Sequence, residues 1–175
     1  DYLRSGAIAR FSPIMNEVVK YANKGGLLLG ICNGFQILCE AGLLPGALLH
    51  NNNQKFICRN TFLKACSGSA GITENVDKNK AYKIPIAHGE GRYYAEKEVV
   101  EDLFEKDQVL FQYCDVNGKV SENDNPNGSL KNIAGVSNKN KNVMGMMPHP
   151  ERAVEPLLGN TDGIPLFESL LTLKV

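Results

Sequence analysis

Several features that would steer a sequence towards a particular class are missing here. There is no surplus of charge: nineteen Lys and Arg balance nineteen Asp and Glu. Binding a polyanion draws on a clustered cationic excess, so nucleic acid and anionic membrane are set aside as partners. No apolar run approaches the roughly 18 residues that span a bilayer. The opening DYLRSGAIAR is not a basic-then-apolar signal peptide either. No CxxC pair or Cys/His spacing suggests zinc, so no metal site is expected. Five cysteines at irregular positions (Cys32, Cys39, Cys58, Cys66, Cys114) do not make a disulfide scaffold. What is left is ordinary globular composition, 43% hydrophobic and 22% charged. The expectation is a soluble, cytoplasmic protein in which a special cysteine is catalytic rather than structural.

The 175 residues suit one domain, and no repeat or low-complexity linker divides them. Ser12 to Ala22 reads as a helix: Ser12 caps it, Pro13 suits its first position, and apolar residues recur at helical spacing. Leu27 to Ile31 is an apolar run of the kind found in strands buried on both faces. A second helix starts at Asn33 and closes at Gly42. Helix, buried strand, tight turn and helix imply a parallel sheet covered by helices. Lys55 to Cys66, Ala81 to Ala87 and Val109 to Tyr113 read as strands. Ser67 to Lys80 is polar without periodicity, and Asn117 to Lys131 reads as a surface loop. Ile133 to Val136 and Val143 to Met147 flank SNKNKN as a hairpin, and Ile164 to Leu173 forms a last amphipathic helix. The fold class expected is α/β, a three-layer, mostly parallel sheet flanked by helices, with antiparallel additions in the C-terminal half.

The sharpest local pattern is Gly30-Ile31-Cys32-Asn33-Gly34, a G-x-nucleophile-x-G turn between strand and helix. Flanking glycines relieve crowding on so tight a turn. The helix N-terminus beside the sulfur is expected to lower the thiol pKa. The Asn33 N–H is placed to meet a tetrahedral oxyanion. The competing reading is a buried cysteine between two loop glycines. A second pattern is Met147-Pro148-His149-Pro150-Glu151, where each proline pushes the residue before it out of the helical region. In extended chain His149 and Glu151 face one side, which suits a base and the carboxylate that orients it. Its competitor is a proline-rich surface turn. A nucleophile and a distant base with its orienter are distributed along the chain as catalytic triads are.

Other candidates are local. Gln36 lies one helical turn after Cys32, within reach of a bound substrate or simply facing solvent. His88-Gly89-Glu90-Gly91-Arg92 follows a strand, either as a binding loop or as an ordinary strand-end turn. His50, among Asn51, Asn52 and Asn53, reads as a loop histidine, and Cys39, Cys58, Cys66 and Cys114 as packing residues.

GICNGFQIL at 30–38 and MPHPER at 147–152 resemble the class I, triad-type glutamine amidotransferases, which carry a G-x-C-x-G-x-Q elbow and a later H-P-E. DYLRSGAIARF at 1–11, LLPGALL at 43–49, KFICRN at 55–60, PIAHGEGR at 85–92 and GMMPHPERAVEPLLG at 145–159 narrow it. Together they resemble the glutaminase subunits of phosphoribosylformylglycinamidine synthases. The resemblance implies a flavodoxin-like amidotransferase domain over 1–175. It implies Cys32 as nucleophile, His149 as general base and acid, and Glu151 as its orienter. Gly30, Asn33, Gln36 and His88 would then contact glutamine or the oxyanion. Glutamine would be hydrolysed through a γ-glutamyl thioester. The ammonia would pass to a synthetase subunit, which holds ATP and Mg, with a small bridging subunit joining the two. No cofactor is expected on this chain.

Family members carry a leading strand–helix segment and a glycine-rich loop ahead of the stretch matching Asp1. By resemblance that loop supplies a second oxyanion N–H, and the sequence is expected to lack it. Two alternatives stand beside this reading: another triad amidotransferase or γ-glutamyl hydrolase, and a non-catalytic interaction module of the same fold.

Overall fold

The structure, a computed structural model, describes residues 3–68 and 71–172. Helix α1 (Leu3–Ala9) precedes α2 (Pro13–Asn23), which begins where the extended backbone of Ser12 leads into Pro13. The apolar run after Gly26 forms β1 (Leu28–Ile31), and α3 (Asn33–Glu40) follows at once. Then come β2 (Ala47–Leu49), β3 (Ile57–Ala65), β4 (Ala81–His88), β5 (Arg92–Tyr94) and α4 (Lys97–Glu105). The chain continues through β6 (Val109–Cys114), β7 (Ile133–Ser137), β8 (Val143–Met146) and α5 (Ile164–Leu171).

Six of the strands form one sheet in the order β1-β8-β7-β6-β3-β4, while β2 and β5 pair separately. β1 and β8 run parallel, with Leu28 opposite Val143 and Ile31 opposite Met146. Every other ladder of that sheet is antiparallel among the described residues. The α/β class with helix-covered faces stands, but the mostly parallel sheet does not. β7–β8 is the hairpin expected around SNKNKN, and β4, β3 and β6 are joined antiparallel, so β1–β8 is the one parallel pair among the described residues.

Strand alternation sends β8 to two cores. Met144 and Met146 join Leu63, Ile84, Ile86, Leu110 and Leu166 on one side. Val143 and Met147 join Phe35, Leu38, Leu48, Tyr93 and Val136 on the other. β1 does not read as fully buried: it stands at one edge of the order, and Gly30 is its one buried residue. The polar stretch 67–80 hides a short turn, Gly71–Thr73, whose Ile72 is buried in the first core. The last helix is described to Leu171, and Leu173 lies outside the described residues.

Gly30 lets α3 press on β1: a Cβ there would lie 2.6 Å from Leu38 Cδ1 and 2.7 Å from the Gly34 backbone. Gly34 needs no such allowance, since a Cβ there meets nothing within 4 Å among the described residues. Because the Gly34 backbone cannot swing aside, Gly30→Ala should destabilise the protein by about 1–3 kcal/mol. Urea unfolding with an unchanged m-value is the check, and a loss below about 0.5 kcal/mol would refute the packing argument.

Candidate active site

Cys32 occupies the joint between β1 and α3. Its N–H donates to the Met146 carbonyl at 2.8 Å, and its own carbonyl accepts from the Gln36 N–H at 3.2 Å, opening the helix. Satisfying both bends the backbone to φ 51 and ψ −106, outside the wells L-residues favour. Such strain, about 1–3 kcal/mol, persists where the surroundings fix it, and it clusters at functional sites. The thiol donates to the Ala87 carbonyl at 3.8 Å. Its pKa is raised, and burial is the largest cause. The Asn33 N–H and the Arg152 charge pull it down, and the Glu151 charge pushes it up. The helix N-terminus lowers this pKa as expected, but desolvation outweighs that one N–H and the net shift is upward.

His149 follows Pro148 with φ −104 and ψ 83, and its N–H donates to the Pro85 carbonyl at 2.8 Å. Pro150–Arg152 is a short 3-10 turn, not an extended segment. The turn still brings Glu151 Oε1 to 2.6 Å from His149 Nδ1. With the carboxylate ionised, Nδ1–H donates to it and Nε2 carries the lone pair. Nε2 is buried and has no hydrogen-bond partner.

The two motifs meet for a topological reason. Ile31 is opposite Met146 in the parallel pair, so Cys32 and Met147-Pro148-His149 leave the same end of adjacent strands. Both then anchor on β4, Cys32 at Ala87 and His149 at Pro85.

His88 ends β4 and is fully buried. Its Nδ1 is 3.0 Å from Asn51 Oδ1, and its Nε2 is without a partner. The stretch it begins is held by amides. The His88 carbonyl accepts from Asn51 Nδ2 at 2.8 Å, and the Gly89 carbonyl from the Asn51 N–H at 2.9 Å. The Glu90 carbonyl accepts from Gln36 Nε2 at 2.8 Å, and the Gly91 carbonyl from Asn127 Nδ2 at 2.8 Å. Gln36 is thus buried and engaged, not facing solvent. Gly91 is required against the His88 ring, because a Cβ would lie 2.4 Å from Nδ1.

Asn51 and Asn127 escaped the sequence reading, as did the buried Ser129, whose Oγ accepts from the Tyr93 N–H at 3.0 Å. They lie in segments read as surface loops, and only the density of Asn in NNN and NPN marked them. His50 is exposed as expected, with Nε2 3.3 Å from Glu90 Oε1. Cys39, Cys66 and Cys114 sit in the interior with raised pKa values, burial being the main cause, Cys66 at about 11 and Cys114 at about 12. Cys58 is exposed, so it is not the buried packing residue the sequence suggested. No group of three or more His, Cys, Asp or Glu fit to hold a metal occurs among the described residues.

A family model described as a CobB/CobQ-like glutamine amidotransferase domain matches residues 4–163. A phosphoribosylformylglycinamidine synthase subunit PurQ from Chlorobium luteolum is 57% identical over 170 residues, covering 97% of this chain and 74% of that protein. The PurQ subunit from Salinibacter ruber is 53% identical over 171 residues, covering 98% and 73%. Among solved structures, PurLQS from Thermotoga maritima contains a chain that superposes with a TM-score of 0.83 at 45% identity, covering 98% of this chain and 73% of that one.

Burial, with the His149 charge second, holds the His88 imidazole down at about 4. Between the ordinary value near 6.5 and about 4, the unfolded chain binds a proton that the folded chain does not. Stability should therefore fall as pH drops through that window, by about 3 kcal/mol at most from this group. Urea titrations at pH 7, 6 and 5 on the protein and on His88→Asn test it. Equal slopes against pH would mean that His88 is not the source.

Proposed function

Because the chain belongs to the CobB/CobQ-like glutamine amidotransferase domain family, we infer that it acts as the glutaminase subunit in phosphoribosylformylglycinamidine synthesis. It hydrolyses glutamine to glutamate and ammonia for purine biosynthesis, and it works with a synthetase subunit. Relatives at 57% and 53% identity over nearly the whole chain, and the chain in PurLQS, support this. The observation that carries the site assignment is the joint anchoring of Cys32 and His149 on β4, with Glu151 at 2.6 Å from His149 Nδ1.

On this reading Cys32 attacks the carboxamide carbon of glutamine while its proton passes to His149 Nε2. Glu151 holds the Nδ1–H and stabilises the imidazolium that forms. The oxyanion meets the Asn33 N–H at the start of α3. His149 returns the proton to the departing ammonia, leaving a γ-glutamyl thioester on Cys32. His149 then takes a proton from water, which attacks the thioester, and returns it to the Cys32 sulfur as the C–S bond breaks and glutamate leaves. Because burial keeps Cys32 a thiol at rest, His149 is needed for attack as well as for departure. Gln36 and His88 border the glutamine pocket. The chain needs no cofactor of its own, ATP and Mg serve the synthetase, and a small third subunit bridges the two. No described helix is long and apolar enough to cross a membrane, in keeping with work in the cytoplasm.

In the assembled complex, Cys32→Ala should abolish glutamine-dependent synthesis and leave ammonia-dependent synthesis within about twofold, since no thioester can form without the sulfur. If both activities are lost together, Cys32 is structural and the division of labour fails. Labelling offers an independent check. Iodoacetamide should modify exposed Cys58 before Cys32, which is 6% exposed with a raised pKa. An electrophilic glutamine analogue should reverse that order, because binding carries it to Cys32. Peptide mapping that finds the analogue on Cys58 would refute the assignment of the pocket.

A further inference from the structure

We infer that Asn51 is a positioning residue for glutamine binding: its amide fixes the path of residues 88–91 and holds His88 in the Nδ1–H form with Nε2 open towards the site. The inference rests on the glutaminase reading above and adds to it a residue that touches no reacting atom.

Asn51 is fully buried and acts on both sides of the loop. Its Nδ2 donates to the Lys55 carbonyl and to the His88 carbonyl, each at 2.8 Å. Its Oδ1 accepts from the Gly91 N–H at 3.2 Å and faces His88 Nδ1 at 3.0 Å. Because Oδ1 only accepts, the His88 nitrogen facing it must carry the proton. The other nitrogen, Nε2, is then a bare lone pair, buried and without a partner. An unmet acceptor in a buried site costs free energy unless a donor arrives, and glutamine brings N–H donors. The low pKa of His88, set first by burial, agrees with a neutral ring.

The Asn51 N–H also holds the Gly89 carbonyl at 2.9 Å, so this one residue engages His88, Gly89 and Gly91. Gln36 and Asn127 hold the remaining two carbonyls of the stretch. The whole of 88–91 is thereby clamped from behind by side-chain and main-chain amides.

Two measurements test this. In protein labelled with 15N-histidine, His88 should appear neutral and Nδ1-protonated at pH 7, in signals that vanish in His88→Asn and are distinct from those of His149, whose Nδ1–H is held by Glu151. Finding His88 protonated at Nε2 would overturn the inference, whatever the enzyme's activity. In the complex, Asn51→Asp keeps an acceptor for His88 Nδ1 but turns an oxygen on the His88 and Lys55 carbonyls. Losing about one hydrogen bond's worth of order should raise KM for glutamine about tenfold, with kcat changed less than about threefold. Ammonia-dependent synthesis should be unchanged. An unaltered KM, or equal loss of glutamine- and ammonia-dependent synthesis, would refute a positioning role. If Asn51→Asp does not fold, the nitrogen spectrum of the unaltered protein decides alone. If the unaltered complex hydrolyses no glutamine, the glutaminase reading fails while the spectrum still judges Asn51.

Discussion

One hydrogen bond sets the geometry on which the site depends, that from the Cys32 N–H to the Met146 carbonyl at 2.8 Å. It extends the parallel β1–β8 ladder one residue beyond Ile31 and forces the chain to turn in a single step into α3. That step produces the strained backbone at Cys32. It also fixes where the second motif begins, because Met146 is only three residues before His149. The sheet then has to curl. β4 stands at the opposite end of the strand order from β1, yet its Ala87 carbonyl meets the Cys32 thiol and its Pro85 carbonyl takes the His149 N–H. A twist of roughly 20–25° per strand accumulates over such an order and brings the two edges round to one another.

The same enclosure decides the chemistry of the sulfur. Burial raises the Cys32 pKa against the helix N–H that would lower it. The thiol is held on a carbonyl, and His149 Nε2, which on the proposed reading accepts its proton, has no partner among the described residues. Neither group is spent on the other before substrate arrives. A thiolate formed in advance would meet every electrophile that entered. On the proposed reading, a thiol that ionises as it attacks, with the base oriented by Glu151, confines reactivity to a bound amide.

Much of this was legible in the sequence. α2, β1, α3, the β7–β8 hairpin and the start of α5 follow from prolines and apolar spacing, although the Ser12 side chain makes no capping hydrogen bond to α2. The pairing of His149 with Glu151, and their place at the same end of the sheet as Cys32, were readable because Cys, His and Glu stand in distinctive local settings. α1 was not read: Gly6 in its middle weakens any local helix signal, by about 1 kcal/mol against Ala. The glycine is there because α1 lies on α3, where a Cβ at Gly6 would be 3.2 Å from the Gln36 backbone. α4 escaped because Lys97–Glu105 buries only Val100 and Leu103, too few apolar positions to show a period. The sheet's direction was misjudged because one strand–helix unit was extended to the whole, and strand pairing is a long-range property that a local pattern does not carry.

The amides were the least legible part, and the reason is general. Asn, Gly and Ser were read as marks of surface, which holds where water satisfies an irregular backbone. Residues 89–91 run on irregularly from the end of β4, and their carbonyls are met by the Asn51 N–H and by the side-chain amides of Gln36 and Asn127. A side-chain amide carries donors and an acceptor without charge, so it can stand in for the missing strand at little electrostatic cost. Asn51, Gln36 and Asn127 do this from three separate segments. An enclosed binding loop cannot be built from regular secondary structure, and its shape then passes to whichever buried amides complete its hydrogen bonds. In this chain those amides stand in NNN, NGFQ and NPNG, so two stretches with the composition of a surface loop belong to the interior of the site.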